Sequence, residues 1–75
     1  MADITLDATG LRCPLPVLKA AKAVRDLNTG DTLEVLATDP GAVDDFAAFC
    51  VAKGYVLLEQ EEEGGVYRFL IQIRD

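Results

Sequence analysis

The chain has 75 residues, of which 51% are hydrophobic, and its formal net charge is −6 because 13 acidic residues outnumber 7 basic ones. This length allows a single domain, residues 1–75, with a thin core, since folding at this size buries only about 60% of the unfolded chain's surface. The acidic balance argues against binding along a nucleic-acid backbone, which needs clustered Lys and Arg.

The chain begins with residues that alternate in polarity, and Ile4 to Asp7 therefore predict a short first strand. After a loop that contains Gly10, apolar residues recur at helical spacing from Pro14, and Asn28-Thr29-Gly30 marks the end of this helix. We expect its buried stripe to consist of Val17, Ala20, Ala21, Val24 and Leu27.

A second strand and a second helix follow in the middle of the chain. Residues 32–38 are mostly apolar and predict a central strand. Residues 40–53 predict a helix that has Asp39 as its N-cap and ends at Gly54. Phe49 would lie at the flank of its buried stripe, as a single exposed apolar residue. The stripe itself would consist of Val43, Phe46, Ala47 and Cys50.

Two further strands complete the predicted fold. Residues 55–61 and 66–73 predict a hairpin, with residues 61–63 as part of a solvated turn. The element order is then β-α-β-α-β-β, and right-handed crossovers place both helices on one face of one sheet. The sequence therefore predicts an α/β (α+β) two-layer sandwich, with two helices packed on one face of a four-stranded mixed sheet. Both helices would start at the same edge, bringing Asp39 close to Cys13.

Cys13 is the candidate functional residue. It precedes Pro14, which fits the first position of a helix, so Cys13 is predicted at the N-cap. Thiol sulfur is a weak acceptor, so capping alone does not explain a cysteine there. The helix N-terminus and Arg12 favour the thiolate, whereas Pro14 and Pro16 lack N–H groups that would strengthen this effect. We therefore expect a modestly lowered pKa for the Cys13 thiol.

The residues that the chain lacks restrict the chemistry of Cys13. The sequence contains no histidine to act as a base or zinc ligand, and its only other cysteine is Cys50. Cys50 is expected in the core, about 15 Å along the second helix, too far for a disulfide, which requires Cα atoms within roughly 7 Å. We expect no metal and no bound cofactor. A nucleophile in this setting is typical of a covalent carrier.

The segment around Cys13 is the positive part of an acidic chain. Between Gly10 and Arg25 there are four basic residues and no acidic one. Such a run is either a solvated helix face or a surface that steers the sulfur towards acidic partner surfaces. Leu15, next to the sulfur, is expected to face water until a partner docks. We predict partner contact at Arg12, Pro14, Leu15, Pro16, Lys19 and Lys22.

No apolar run approaches the roughly 18 residues that a membrane-spanning helix needs. The first residues also lack the basic region and apolar core of a signal peptide. We therefore expect a cytoplasmic protein that acts as a monomer, with no membrane partner and no direct nucleic-acid partner.

Residues 6–16, LDATGLRCPLP, resemble the C-P-x-P signature of the TusA/SirA/YedF family of sulfur carriers. Thr38-Asp39-Pro40, which opens the helix reaching Phe49-Cys50, and residues 67–71 resemble the family's second segment and last strand. The similarity thus covers nearly the whole chain. It implies a small α/β sandwich with two helices on a four-stranded sheet, in agreement with the pattern above.

The resemblance also implies a function for Cys13 as the catalytic residue. Cys13 would accept sulfane sulfur as a persulfide from a cysteine desulfurase or a rhodanese-type donor, and pass it to a partner cysteine. The protein would act as a carrier with sulfurtransferase-type chemistry rather than as a turnover enzyme. Destinations in such families include transfer-RNA thiolation, molybdenum cofactor assembly and sulfur oxidation. Members tied to transfer-RNA thiolation often carry an acidic residue in place of Leu15, which favours another pathway, sulfur oxidation included.

Two alternatives remain open at the level of sequence. In the first, Cys13 belongs to a redox-sensing or regulatory interaction module and is oxidised without carrying sulfur. In the second, the domain binds RNA, which the acidic composition and the lack of a basic, aromatic face disfavour.

Overall fold

The computed structural model of the chain describes residues 3–74. Its strands are β1 (Ile4–Ala8), β2 (Thr32–Ala37), β3 (Val56–Glu63) and β4 (Val66–Gln72), and its helices are α1 (Leu15–Ala23) and α2 (Ala42–Lys53). A short 3-10 turn, Val24–Asp26, extends α1. The predicted order of elements is therefore confirmed. No helix in this part of the chain is long and apolar enough to cross a membrane.

The four strands form one mixed sheet in the order β1-β2-β4-β3. β1 and β2 are parallel, whereas β4 is antiparallel to both of its neighbours. β2 is a central strand, as its apolar composition predicted. Because parallel strands end at the same edge of a sheet, the loops that lead from β1 and β2 into the two helices meet at that edge.

The core lies between the helices and one face of the sheet. On β2, Leu33, Val35 and Ala37 are fully buried and alternate with half-buried residues. The ring of Phe46 on α2 stacks on that of Phe69 on β4, with centroids 4.8 Å apart. Burying a side chain of this kind stabilises the fold by about 1.5–3 kcal/mol. The predicted two-layer sandwich, with both helices on one face, is confirmed.

The buried stripe of α2 is rotated from the predicted one. Phe49, expected at an exposed flank, is only 7% exposed, whereas Ala47, expected in the core, is exposed. The reason is aromatic packing, since Phe49 lies edge-on to Phe46 at 6.2 Å and to Tyr55 at 5.8 Å between ring centroids. The buried residues of α2 are Ala42, Phe46, Phe49 and Cys50.

Helix α1 begins one residue later than predicted. Pro14, not Cys13, is the N-cap, and Leu15 is the first helical residue. A turn precedes the helix, because the Leu15 N–H donates to the Arg12 carbonyl at 2.8 Å. Cys13 therefore lies inside this turn, before the cap. Pro16 falls in the first turn of the helix, where its missing N–H has no intrahelical partner to lose.

The hairpin turn is shorter than predicted. Residues 61–63, expected in a solvated turn, belong to β3 and pair with β4. The chain reverses at Gly64 and Gly65, whose φ angles are 59° and 83°. Two consecutive positive φ angles suit the twist of a tight two-residue hairpin, and glycine adopts them without strain.

Candidate thiol site at the edge of the sheet

The loop that follows β1 and the loop that follows β2 meet at one edge of the sheet. Backbone N–H groups of both loops donate hydrogen bonds to side chains of the loop after β2. The Gly10 N–H donates to Thr38 Oγ1 at 2.8 Å, and the Cys13 N–H donates to Asp39 Oδ2. Asp39 Oδ1 accepts the Gly41 N–H at 3.0 Å. These bonds, first from Cys13 and then from Gly41, hold the pKa of Asp39 below its ordinary value. The predicted proximity of Cys13 and Asp39 is confirmed.

Asp39 does not cap α2 as predicted. The N-cap is Gly41, and the Ala42 N–H donates to the Asp39 carbonyl at 2.9 Å, so a turn separates Asp39 from the helix. The Asp39 carboxylate consequently bridges the two loops instead of serving the helix end. It fixes the backbone of Cys13 relative to α2.

The two cysteines differ in exposure. Cys13 is exposed, whereas Cys50 is 4% exposed, and neither forms a disulfide. Burial raises the pKa of the Cys50 thiol, which makes it less reactive. The prediction that Cys50 is a core residue is confirmed. Of the two cysteines, Cys13 therefore carries the accessible thiol.

The immediate partner of the Cys13 thiol is Asp45, in the first turn of α2. The thiol donates a hydrogen bond to Asp45 Oδ2. This bond raises the pKa of Cys13 to about 11, with further contributions from desolvation and from the charges of Asp45 and Asp39. The expected modest lowering of the pKa is thus wrong, because the bond to Asp45, desolvation and the charges of two carboxylates all favour the protonated thiol.

The start of α1 offers the sulfur little compensation. Pro14 and Pro16 have no N–H, and the N–H of Leu15 is already bonded to the Arg12 carbonyl. The acidic neighbours therefore determine the electrostatics at the sulfur, although the α1 segment itself is basic.

The predicted contact residues other than Pro16 form an exposed surface beside the sulfur. Leu15 is 47% exposed, as expected, and Lys19 and Lys22 follow it at helical spacing. Leu18, which was not among the predicted contact residues, lies among them and is 58% exposed. We call this surface the docking face; it consists of Arg12, Pro14, Leu15, Leu18, Lys19 and Lys22.

Pro16 does not belong to the docking face. Its side chain is fully buried, and with Ala20 it forms the inward side of α1. Pro16 and Leu15 are adjacent in the helix, so they point in directions about 100° apart. The predicted partner contact at Pro16 is therefore wrong, and this residue serves packing.

An apolar groove of about 320 Å³ lies between α1 and α2 and borders the site. A larger hollow, about 380 Å³, lies around Arg68 on the other face of the sheet, and no cysteine lines it. Among residues 3–74, no group of three or more His, Cys, Asp or Glu side chains could hold a metal ion. The groove is lined by Pro14, Val17, Asp45, Ala48, Phe49 and Ala52.

The fold and the site define a class: a small two-layer α/β protein with an exposed thiol at the edge where both helices begin. The family model described as Sulfurtransferase TusA matches residues 4–73. A putative sulfur carrier protein of Neisseria meningitidis is 54% identical over 72 residues, covering 96% of this chain and 97% of that protein. Sulfur carrier protein TusA of Allochromatium vinosum is 51% identical over 70 residues, covering 93% and 92%.

A solved structure agrees with these sequence matches. The SirA-like protein of Desulfitobacterium hafniense superimposes with a TM-score of 0.83 at 31% identity, covering 96% of this chain and 99% of that one. The chain belongs to the TusA family, as the resemblance in its sequence indicated.

Proposed function

We propose that this protein is a sulfur carrier, which receives sulfane sulfur as a persulfide on Cys13 and relays it to a partner protein. The observation that carries this proposal is the position of Cys13. Its sulfur is exposed beside the docking face, while the other sulfur of the pair, in Cys50, is buried. Membership of the TusA family, with relatives described as sulfur carriers, supports the same function.

The transfer consists of two thiol exchanges. Cys13 attacks the terminal sulfur of a donor persulfide, so that a bond to its Sγ forms, the donor's S–S bond breaks, and the donor cysteine leaves with the proton that Cys13 gives up. An acceptor thiol then attacks the terminal sulfur on Cys13 and restores the Cys13 thiol. The net result moves one sulfur atom without net oxidation. The covalent persulfide is thus the only group the carrier needs.

The partners that we propose follow from this chemistry. The donor is a cysteine desulfurase or a rhodanese-type protein, and the acceptor is a protein with a reactive cysteine; both act in the cytoplasm. Both would bury Leu15 and Leu18, which lie exposed beside the sulfur. Leu15 stands where family members tied to transfer-RNA thiolation often carry an acid, which favours another pathway, sulfur oxidation included.

The alternative of a redox-sensing thiol is less well supported. Cysteines that sense oxidants have low pKa values, since oxidation follows thiolate character. The pKa of Cys13 is raised to about 11. A thiol that donates to a carboxylate has little thiolate character, which disfavours reaction with small oxidants.

Intact-protein mass spectrometry after incubation with cysteine and a cysteine desulfurase tests the proposal. We expect a gain of one sulfur atom that reductant reverses, that Cys13→Ser abolishes and that Cys50→Ala retains. Ala is preferred to Ser at position 50 because it buries no hydroxyl in the core. Absence of the gain, both here and with thiosulfate and a rhodanese, would rule out sulfur transfer and favour the regulatory alternative.

A further inference from the structure

The hydrogen bond between the Cys13 thiol and Asp45 has no role in the transfer steps described above. Asp45 is 32 residues away along the chain, and α2 fixes its position, since the Asp45 N–H donates to the Gly41 carbonyl at 3.1 Å. An ionised carboxylate only accepts hydrogen bonds. The bond therefore exists only while Cys13 keeps its proton, and a protonated thiol is not a nucleophile.

The charged groups that act on the sulfur come from two segments. Asp45 comes from α2 and Asp39 from the loop after β2. Both of these groups are negative, whereas the positive charge of Arg12, in the loop that carries Cys13, acts on Asp39. A thiolate at Cys13 would be a third negative charge among these groups. A positive charge added from outside would offset one of these negative charges.

We propose that Asp45 gates the Cys13 nucleophile, holding it as a thiol in the free protein, and that a cationic side chain of the docked sulfur donor pairs with Asp45 to release it. This role rests on the proposed function. The donor is thereby defined by its chemistry: it presents a Lys or Arg beside its persulfide cysteine. Complementarity of charge supports a cation, because the groups that surround the sulfur on α2 and on the loop after β2 are both carboxylates.

The gated step balances in atoms and electrons. In the free protein the Cys13 proton lies between Sγ and Asp45. When the cationic side chain of the donor pairs with the Asp45 carboxylate, the proton leaves Cys13 and is transferred to the departing donor cysteine. Sγ forms the new bond to the terminal sulfur as the donor's S–S bond breaks. Small neutral reagents bring no such cation, so they meet a thiol that is held unreactive.

Alkylation by iodoacetamide tests the first half of this proposal without sulfur transfer. The protein carries Cys50→Ala, so that Cys13 is its single thiol, and the variants are Asp45→Asn and, as the matched control, Asp44→Asn. Asp44 is the exposed neighbour in the same helical turn. Replacing the carboxylate of Asp45 by an amide keeps the shape and an acceptor oxygen but removes the charge. Circular dichroism establishes that each variant is folded.

The expected effect can be estimated from the two opposing consequences of a lower pKa. If the pKa of Cys13 fell by about two, the thiolate fraction at pH 7 would rise about a hundredfold. The less basic thiolate would also be a weaker nucleophile, which would reduce the gain in rate to about tenfold. Because Asp39 remains, we expect Asp45→Asn to react roughly three- to tenfold faster. Asp44→Asn should match the parent. Identical pH profiles for Asp45→Asn and the parent would overturn the gate.

The parent profile provides a second measurement that does not depend on the folding of a variant. The pH at which the alkylation rate of the folded protein is half-maximal should lie well above that of a peptide of residues 10–16, which has the same thiol without Asp45. Equal midpoints for the folded protein and the peptide would also overturn the proposal.

Exchange with two stable disulfides tests the second half, the role of a cation. Cystamine carries two ammonium groups, whereas bis(2-hydroxyethyl) disulfide is neutral and of similar size. We expect the ratio of the two exchange rates to be several-fold higher for the parent than for Asp45→Asn, and unchanged in Asp44→Asn. Equal ratios in all three proteins would contradict the cationic release.

These tests distinguish the gate from the proposed function. Alkylation and disulfide exchange report on Cys13 and Asp45 whether or not the protein carries sulfur. If no persulfide forms in the mass spectrometry test but Asp45→Asn changes alkylation and exchange as expected, the carrier function is refuted and the gate stands. If the persulfide forms but Asp45→Asn has no effect on alkylation or exchange, the gate is refuted and the carrier function stands.

Discussion

Asp39 is the residue that holds the Cys13 loop against the rest of the site. Its two carboxylate oxygens have different partners, the N–H of Gly41 and the N–H of Cys13. Asparagine would place its NH2 group, a donor, opposite one of the two N–H groups and leave that N–H without its acceptor. The ionised aspartate is therefore specifically suited to this position.

We predict that Asp39→Asn lowers the thermal unfolding midpoint at pH 7, and that this difference shrinks in acid. The pKa of Asp39 in the folded protein is lowered from 3.8, first by its bond from Cys13 and then by that from Gly41. The stability it contributes is thus present above about pH 4 and is lost as the pH falls through the lowered pKa. Thermal melts between pH 7 and pH 2.5 measure this, with Asp44→Asn as the control. A difference that persists undiminished at the acid end would contradict the assignment.

Asp45 illustrates what the sequence could not provide about the site. Asp44 and Asp45 both occupy the first turn of α2, where acidic residues are expected because the helix dipole favours them. Helical spacing separates the two faces of a helix but does not reveal which face approaches another segment through space. The position of α2 beside the Cys13 loop selects Asp45 and leaves Asp44 in solvent.

At the scale of elements, α2 joins the core to the site. Its inward side carries Phe46, which is fully buried against Phe69, and its first turn carries Asp45. The orientation that buries the aromatic rings therefore also sets where the carboxylate meets the sulfur. Packing and chemistry depend on the same rotation of one helix.

We predict that Phe46→Ala destabilises the protein by about 3–5 kcal/mol, the usual cost of deleting a buried ring and leaving a cavity. Equilibrium urea unfolding measures this loss. Val51→Ala, on the same helix but 83% exposed, is the matched control and should change the free energy of unfolding by less than about 0.5 kcal/mol. A similar loss in both variants would show that the ring is not a core residue.

The elements of the fold were largely predictable, and the reasons are local. Alternation identified the first strand, a mostly apolar run identified β2, and helical spacing identified the buried stripe of α1, whose members pack in or against the core. The stripe of α2 was misplaced because Phe49 and Ala47 differ in size but hardly in pattern. Only the neighbouring rings, Phe46 and Tyr55, determine that the larger side chain turns inward.

At the scale of the whole molecule, charge is divided between two regions. The docking face is basic through Arg12, Lys19 and Lys22, whereas the chain as a whole has a net charge of −6. Such an asymmetry orients a protein as it approaches a charged partner and depends on ionic strength. The carboxylates next to the sulfur act only at contact.

We predict that Lys19→Glu combined with Lys22→Glu slows sulfur receipt from a cysteine desulfurase roughly tenfold or more at low salt, with little effect at high salt. Sulfur loading followed by mass spectrometry over time gives the rates. The control, Arg25→Glu with Arg74→Glu, changes the net charge equally at exposed positions outside the docking face. Equal rates for the two double variants at low salt would refute steering by this face.

The position of β3 at one edge of the sheet affects how copies of the chain behave towards each other. Its outer side has no neighbouring strand in the sheet order β1-β2-β4-β3, and unpaired edges invite further strands to join. β3 carries Glu59, Glu61, Glu62 and Glu63, all exposed, and its pairing with β4 is irregular between Leu57 and Glu59. Two such edges repel each other when they approach. The charge of this strand, which lies away from the thiol site, therefore opposes edge-to-edge pairing of two copies.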